Sequence, residues 1–235
     1  RVFRNKRIIF MMPKNIFLNE HKRSGASTFD DLFFSLFYTY ITSKFQEEII
    51  MNTINVAVIV GSLRQASFSK KIALALKELS PQSLNLELID ISALPLYNQD
   101  LEEQGREPET WKAFRKKIKE FDAFLFVTPE YNRSMSAVLK NAIDVGSRPY
   151  GSSVWNGKPG AVVSVSPGAI GGFGANHHLR QVLTFLNVAT MQQPEAYIGN
   201  VHKLLDKDGR VSNEDTLKFL SQFANAFLKW IQANS

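Results

Sequence analysis

The stretch Ile-Asn-Val-Ala-Val-Ile-Val at 54–60 is short, almost wholly apolar and rich in β-branched side chains. A run of that kind reads as a strand buried on both faces, and such strands belong to parallel sheets with helices packed above and below. The pattern constrains the chain because it returns. Strands are read at 84–91 (LNLELIDI), 122–128 (DAFLFVT), 160–166 (GAVVSVS) and, in a more exposed form, 190–198 (TMQQPEAYI). Between and after them lie helical segments at 67–79, 109–120, 137–145, 175–186 and 213–233. In the first of these Ile72, Ala73, Leu76 and Leu79 share one face, and Ser80-Pro81 ends it. The segments 93–100 and 146–157 read as loops. Strand and helix thus alternate through the chain, which predicts an α/β fold with a five-stranded parallel sheet between two helical layers.

Right-handed crossovers bring the loops that follow the strands to one edge of such a sheet. With strand order 2-1-3-4-5, the loops after the first, third and fourth strands are neighbours, and ligands of doubly wound sheets bind at that edge. All three loops are unusual. The first, GSLRQASFSK at 61–70, offers hydroxyls at Ser62, Ser67 and Ser69 and a charged fork at Arg64, all at the positive end of a helix. It suits a monophosphate; a hydroxyl-rich helix cap is the alternative for this loop taken alone. Neither G-x-x-x-x-G-K-[ST] nor G-x-G-x-x-G is present, which counts against nucleoside-triphosphate and Rossmann dinucleotide sites. The second, PEYNRSMS at 129–136, offers Tyr131 to cover an aromatic face and the Asn132 amide to meet carbonyls and ring nitrogens. The third, SPGAIGGFG at 166–174, has glycines at 168, 171, 172 and 174 that let backbone approach a ligand closely. A flat heterocycle with a monophosphate tail fits all three, and FMN is such a molecule.

Three stretches, GSLRQASFS (61–69), PEYNRSMSAVLKNAID (129–144) and KPGAVVSVSPGAIGGFGANHHLRQVL (158–183), give residues 51 to about 190 a resemblance to the NADPH-dependent FMN reductase family. The similar branch holds chromate and quinone reductases and azoreductases. The resemblance implies a flavodoxin-like fold, non-covalent FMN, and a homodimer or homotetramer. It implies that Ser62, Arg64, Ser67 and Ser69 hold the phosphate. Pro129, Glu130, Tyr131 and Asn132 would hold the isoalloxazine, and Ser166, Gly168, Gly171 and Gly172 would wrap its other edge. The implied reaction is a ping-pong transfer of two electrons from NADPH or NADH through the flavin to quinones, free flavin, azo compounds or oxyanions such as chromate. No protein group is expected to be catalytic, because the flavin carries the chemistry. Two positions depart from the family pattern: Ser69 stands where Asn is usual and Val145 where Trp is usual. The alternative is a flavodoxin-like electron carrier without pyridine-nucleotide activity, which the basic surface disfavours.

Other polar residues have plainer readings. Glu130 reads as structural or as a subunit contact rather than a catalytic acid. Arg133 and Arg148 read either as steering groups for a nucleotide phosphate or as solvated surface. His177 and His178 read as helix-surface residues, with no metal, and Lys140 with Asp144 as a helix-face ion pair.

The chain has no cysteine, which excludes disulfides, thiol catalysis and Cys-based metal sites and suits a cytoplasmic setting. Its net charge of +6 is spread without a basic stripe, so small phosphorylated anions are expected as partners rather than nucleic acid. Residues 1–50 form an N-terminal extension carrying eight Lys/Arg against five Asp/Glu, and 51–235 the reductase domain. Within the extension 29–50 reads as an amphipathic helix, too short and interrupted to span a bilayer. Three readings of the extension stay open. It is foreign to the natural fold, with Met51 directly before the first strand; it packs on the domain or a neighbouring subunit; or it lies on a membrane surface.

Overall fold

The β-branched run forms β1 (Ile54–Val60), and its parity decides everything around it. Val56, Val58 and Val60 point to one side of the sheet, Ala57 and Ile59 to the other, and all five are buried. The remaining strands are β2 (Leu84–Ile89), β3 (Ala123–Pro129), β4 (Pro159–Val165), β5 (Ala189–Thr190) and β6 (Ala196–Ile198). Their order is β2-β1-β3-β4-β5, with β6 also paired to β4, and every pairing is parallel. The flavodoxin-like order expected above is the observed one.

Within residues 53–235 the α-helices are α1 (Phe68–Leu79), α2 (Gln99–Glu103), α3 (Glu109–Lys119), α4 (Ala137–Gly146), α5 (Phe173–Phe185) and α6 (Glu214–Asn234). One core joins Val58, Leu125 and Val163 to Ile72 and Leu76 of α1 and to Phe223 and Phe227 of α6. The other joins Ile59, Phe124, Phe126 and Val162 to Trp111 of α3, Leu139 of α4 and Leu183 of α5. Helices on both faces of a parallel sheet follow from strands that are apolar on both faces. Computed as a structural model, the protein is described here over residues 35–42 and 53–235.

The chain divides into two units, Arg1–Asn52 and Thr53–Ser235. In the first, residues 35–42 are helical, with Leu36, Phe37, Tyr40 and Ile41 exposed. The rest of the helix expected over 29–50 lies outside the described residues. Among the described residues no helix is long and apolar enough to cross a membrane.

Two local expectations are corrected, and one loop proves to contribute to the core. The fifth strand is not continuous over 190–198: β5 and β6 are separate pieces, and residues 192–195 leave the ladder between them. Pro194 lies in that break, and a proline has no N–H to give a strand ladder. The segment 93–100 is not wholly loop, because α2 begins at Gln99, capped by the Asn98 side chain accepting from the Asp100 N–H at 3.0 Å. The Gly/Ser-rich segment 146–157 carries a core residue, Trp155, which is fully buried, sits edge-on to Phe124 at 4.9 Å and donates its indole N–H to the Ile143 carbonyl at 2.9 Å. Val145, one of the two departures from the family pattern, is equally buried.

Gly146 faces that tryptophan. A Cβ there would lie 2.5 Å from the Trp155 Cζ2 atom. Gly146→Ala should therefore overpack the core by about 1–3 kcal/mol. Urea unfolding should show a lower midpoint at unchanged slope.

Candidate functional site

The strands end together. Val60 of β1 is level with Val127 of β3, and Pro129 of β3 with Val165 of β4, so the turns at 61–67, 130–136 and 166–172 leave the sheet at one edge. Side chains then tie the turns to one another.

The first turn is anchored through Ser136. Its hydroxyl donates to the Gly61 carbonyl at 2.6 Å, and it stands at the N-cap of α4. Ser67 caps α1, its hydroxyl oxygen accepting from the Lys70 N–H at 3.1 Å. Ser67 and Ser69 are buried, Ser62 is half-buried and Arg64 is exposed. Among the described residues the backbone N–H groups of Ser62 to Ala66 have no protein acceptor. With Arg64 in the turn and Lys70 and Lys71 at the start of α1, the turn is a set of donors in a positive setting.

The second turn is a two-residue hairpin. Tyr131 and Ser134 exchange both backbone hydrogen bonds, at 2.9 and 3.0 Å. Asn132 and Arg133 lie between them with φ of 51° and 64°, the left-handed values of a type I′ turn. Asn tolerates that conformation; for Arg it costs about 1 kcal/mol. Tyr131, Asn132 and Arg133 are exposed at the tip, and Pro129 is half-buried at its base.

Glu130 joins the second turn to the third. One carboxylate oxygen accepts from the Ala175 N–H in the first turn of α5 at 3.0 Å, and the other from the Arg133 guanidinium at 3.1 Å. A carboxylate at a helix N-terminus meets both orphan donors and the positive end of the helix dipole. The structural reading of Glu130 is the one its geometry supports.

The third turn is held from beneath. The Ser164 hydroxyl donates to the Gly171 carbonyl at 2.8 Å, and the buried Asn176 amide donates to Ser164 at 3.3 Å. The Ser166 hydroxyl accepts from the Gly168 N–H at 3.1 Å, and the Gly168 carbonyl accepts from the Asn200 N–H at 3.2 Å. Gly171 and Gly172 have φ of 66° and 78°. A Cβ on Gly171 would strike the Tyr197 backbone at 2.6 Å, so its lack of a side chain already serves the packing of this turn on β6.

Beside this turn stands an aromatic group. The Phe173 ring lies 4.2 Å from that of His177 and 5.3 Å from that of Tyr197. His177 Nε2 is 2.9 Å from the Tyr197 hydroxyl. Burial, with Glu195 beside it, pushes the Tyr197 phenol up to about 12. His178, on the adjacent face of α5, hydrogen-bonds Ser134 at 2.8 Å. Both histidines lie exposed on the helix surface, as expected, and each holds a hydrogen bond there.

Arg148 points elsewhere. It meets Glu102 of α2 at 3.2 Å and lies over the Tyr97 ring at 5.6 Å, away from the three turns. Lys140 and Asp144 form the expected ion pair at 2.7 Å. Sequence reasoning passed over Ser136, Ser164 and Asn176. Ser164 is a hydroxyl inside an otherwise apolar strand and Ser136 stands directly before a helix, which were the available signals.

Ser136→Ala removes a helix cap and leaves the Gly61 carbonyl without its donor, so a loss of about 1–2 kcal/mol is expected in urea unfolding. For Tyr197 the folded value lies above the unfolded value near 10, so the folded state keeps its proton longer. The stability this contributes is present below about pH 10 and is lost as pH rises towards about 12. Tyr197→Phe should show a shallower fall in stability than the unmodified protein across that window.

A model of the NADPH-dependent FMN reductase family matches residues 54–203. The chain is 58% identical over 180 residues to a quinone reductase of Pseudomonas putida, covering 77% of this chain and 96% of that protein. It is 46% identical over 179 residues to a 2-hydroxy-1,4-benzoquinone reductase of a Burkholderia species, covering 76% and 97%. Among solved structures it resembles FerB, a flavoenzyme NAD(P)H:(acceptor) oxidoreductase of Paracoccus denitrificans, with a TM-score of 0.72 at 42% identity over 77% of this chain and 99% of that one.

Proposed function

The chain belongs to the NADPH-dependent FMN reductase family, and from that membership we propose that it is an FMN-dependent NAD(P)H oxidoreductase whose acceptors are quinones. The observation that carries this reading is the pair of clamps, Ser136 on Gly61 and Glu130 on Ala175, which hold three ligand-suited turns as one rim.

The residues present fit FMN. A terminal phosphate dianion needs several donors, and the unpaired N–H groups from Ser62 to Ala66, the Arg64 guanidinium and the start of α1 supply them. Ser67 keeps its O–H to donate, because its oxygen is what caps the helix. Ser62 and Ser69 add hydroxyls. The isoalloxazine would sit between the second and third turns, with Tyr131 and Asn132 over it and Pro129 at its base. Ser166, Gly168, Gly171 and Gly172 would line the other edge with backbone, and Glu130 orients both walls.

When bound, FMN accepts a hydride equivalent from NAD(P)H and passes two electrons to the acceptor. The protein's part is to bind, orient and leave one face open, and the exposed Tyr131–Arg133 tip supports an open site. An open site that takes donor and acceptor in turn supports ping-pong kinetics. Free flavin, azo compounds and oxyanions such as chromate are further proposed acceptors. We expect a homodimer or homotetramer in the cytoplasm.

The test uses the purified full chain. It should carry a visible flavin spectrum that bleaches when NADPH is added without oxygen and recovers with a benzoquinone, and initial rates should give parallel reciprocal plots. Bound flavin that NADPH does not bleach would instead make the protein a carrier. Arg64→Ala should weaken FMN about tenfold, by loss of a charge-assisted contact, as read by flavin release on dilution.

A further inference from the structure

Arg133 occupies a position that its own backbone disfavours. In a type I′ turn the second central residue is best served by glycine, yet here, at φ 64°, stands a long cation. Backbone strain of this kind points from an observed outlier towards a use for the side chain. The Arg133 side chain is 72% exposed, and Glu130 holds one of its nitrogens at 3.1 Å. The same Glu130 caps α5, so its negative charge is shared with the helix start. The remaining guanidinium N–H groups have no acceptor among the described residues. The fork is thus held in place with donors to spare.

The helix turn that Glu130 caps also carries Phe173, which is 48% exposed. Its ring contacts are the His177 ring at 4.2 Å and the Tyr197 ring at 5.3 Å, and the His177 and Tyr197 rings are stacked at an interplanar angle of 24°. An apolar ring left half in water, backed by two others, is a ledge for a planar group. The two features are close in space. Gly174, next to Phe173, lies so near the second turn that a Cβ there would be 3.0 Å from the Arg133 carbonyl.

We propose that Phe173 and His177 seat the adenine of NADPH while Arg133 binds its 2′-phosphate, making Arg133 the residue that selects NADPH over NADH. This rests on the function proposed above. Arg64 and the first turn already serve one phosphate, and a planar ledge beside a second, independent cation matches a ligand with another ring and another phosphate. A guanidinium suits a phosphate dianion through paired charge-assisted hydrogen bonds, and an aromatic ledge takes a purine without further polar recognition.

The experiment compares the full chain with its Arg133→Gly and Phe173→Ala variants. Adenosine 2′,5′-bisphosphate and adenosine 5′-monophosphate are titrated calorimetrically, and kcat/KM is measured for NADPH and NADH. For Arg133→Gly the bisphosphate should bind about 10- to 100-fold more weakly, and the NADPH-to-NADH ratio of kcat/KM should fall by a similar factor. Its thermal midpoint should hold or rise, because glycine suits the turn; a merely structural arginine predicts a fall. Phe173→Ala should weaken both adenosine nucleotides alike. The proposal is overturned if Arg133→Gly leaves bisphosphate affinity unchanged, lowers both kcat/KM values equally or loses FMN, or if Phe173→Ala affects neither nucleotide. A full chain that never carries flavin would instead defeat the reductase reading, while the bisphosphate titration on the same sample would still report on Arg133.

Discussion

β1, β3, β4 and β6 stop pairing at the same edge of the sheet, and the backbone groups released there must find partners or face water. That constraint organises the site. The Gly61 carbonyl is met by Ser136, the Gly171 carbonyl by Ser164, the Ala175 N–H by Glu130 and the Ser166 N–H by the Ile198 carbonyl. Each partner comes from a different strand-to-helix connection or from the sheet beneath. Satisfying the edge therefore also fixes the three turns against one another. Among the described residues the run from Ser62 to Ala66 keeps five consecutive N–H groups without a protein acceptor, where an anion can supply the acceptors.

The rigid part and the strained part of the rim are adjacent but separate. Buried polar residues below it, Ser164 and Asn176, bond to one another, to the Gly171 and Ala196 carbonyls and to the Arg180 guanidinium. Above it, the tip from Tyr131 to Ser134 projects into solvent on two backbone hydrogen bonds, with two non-glycine residues in left-handed conformation. A strained turn persists when its surroundings over-determine it. Here Glu130 and the end of β3 pin it from one side, and the contact between Ser134 and His178 from the other. A pinned support fixes the point from which the Arg133 side chain leaves the turn.

Charge is arranged with the same economy. The residues of the first turn bring cations and no carboxylate. Glu130, the acid nearest the second and third turns, is held by a helix start and an arginine, so its charge is largely spent within the protein. A rim of that composition favours anionic cofactors and substrates over cationic ones. Arg148, which sequence proximity would add to the rim, is instead drawn off by Glu102 and Tyr97.

Much of this was legible in one dimension because it depends on period and local chemistry. Runs such as Ile54–Val60 and Ala123–Val127 declare strands apolar on both faces, and strands of that kind have few ways to pack. Ser67, Asn132 and the glycines at 171 and 172 declare turns, because caps and left-handed positions restrict residue type. Relations between distant segments are carried by no local pattern. That Trp155 of a Gly/Ser-rich loop fills the core beside Gly146, that Arg148 turns to α2, and that the fifth strand is cut at Pro194 were decided in three dimensions. The amino-acid sequence by itself determined the layers and the location of the three turns, since burial and periodicity are local averages. The tertiary structure alone decided which groups clamp those turns together, since a hydrogen bond between residues 130 and 175 exists only once the sheet has placed them side by side.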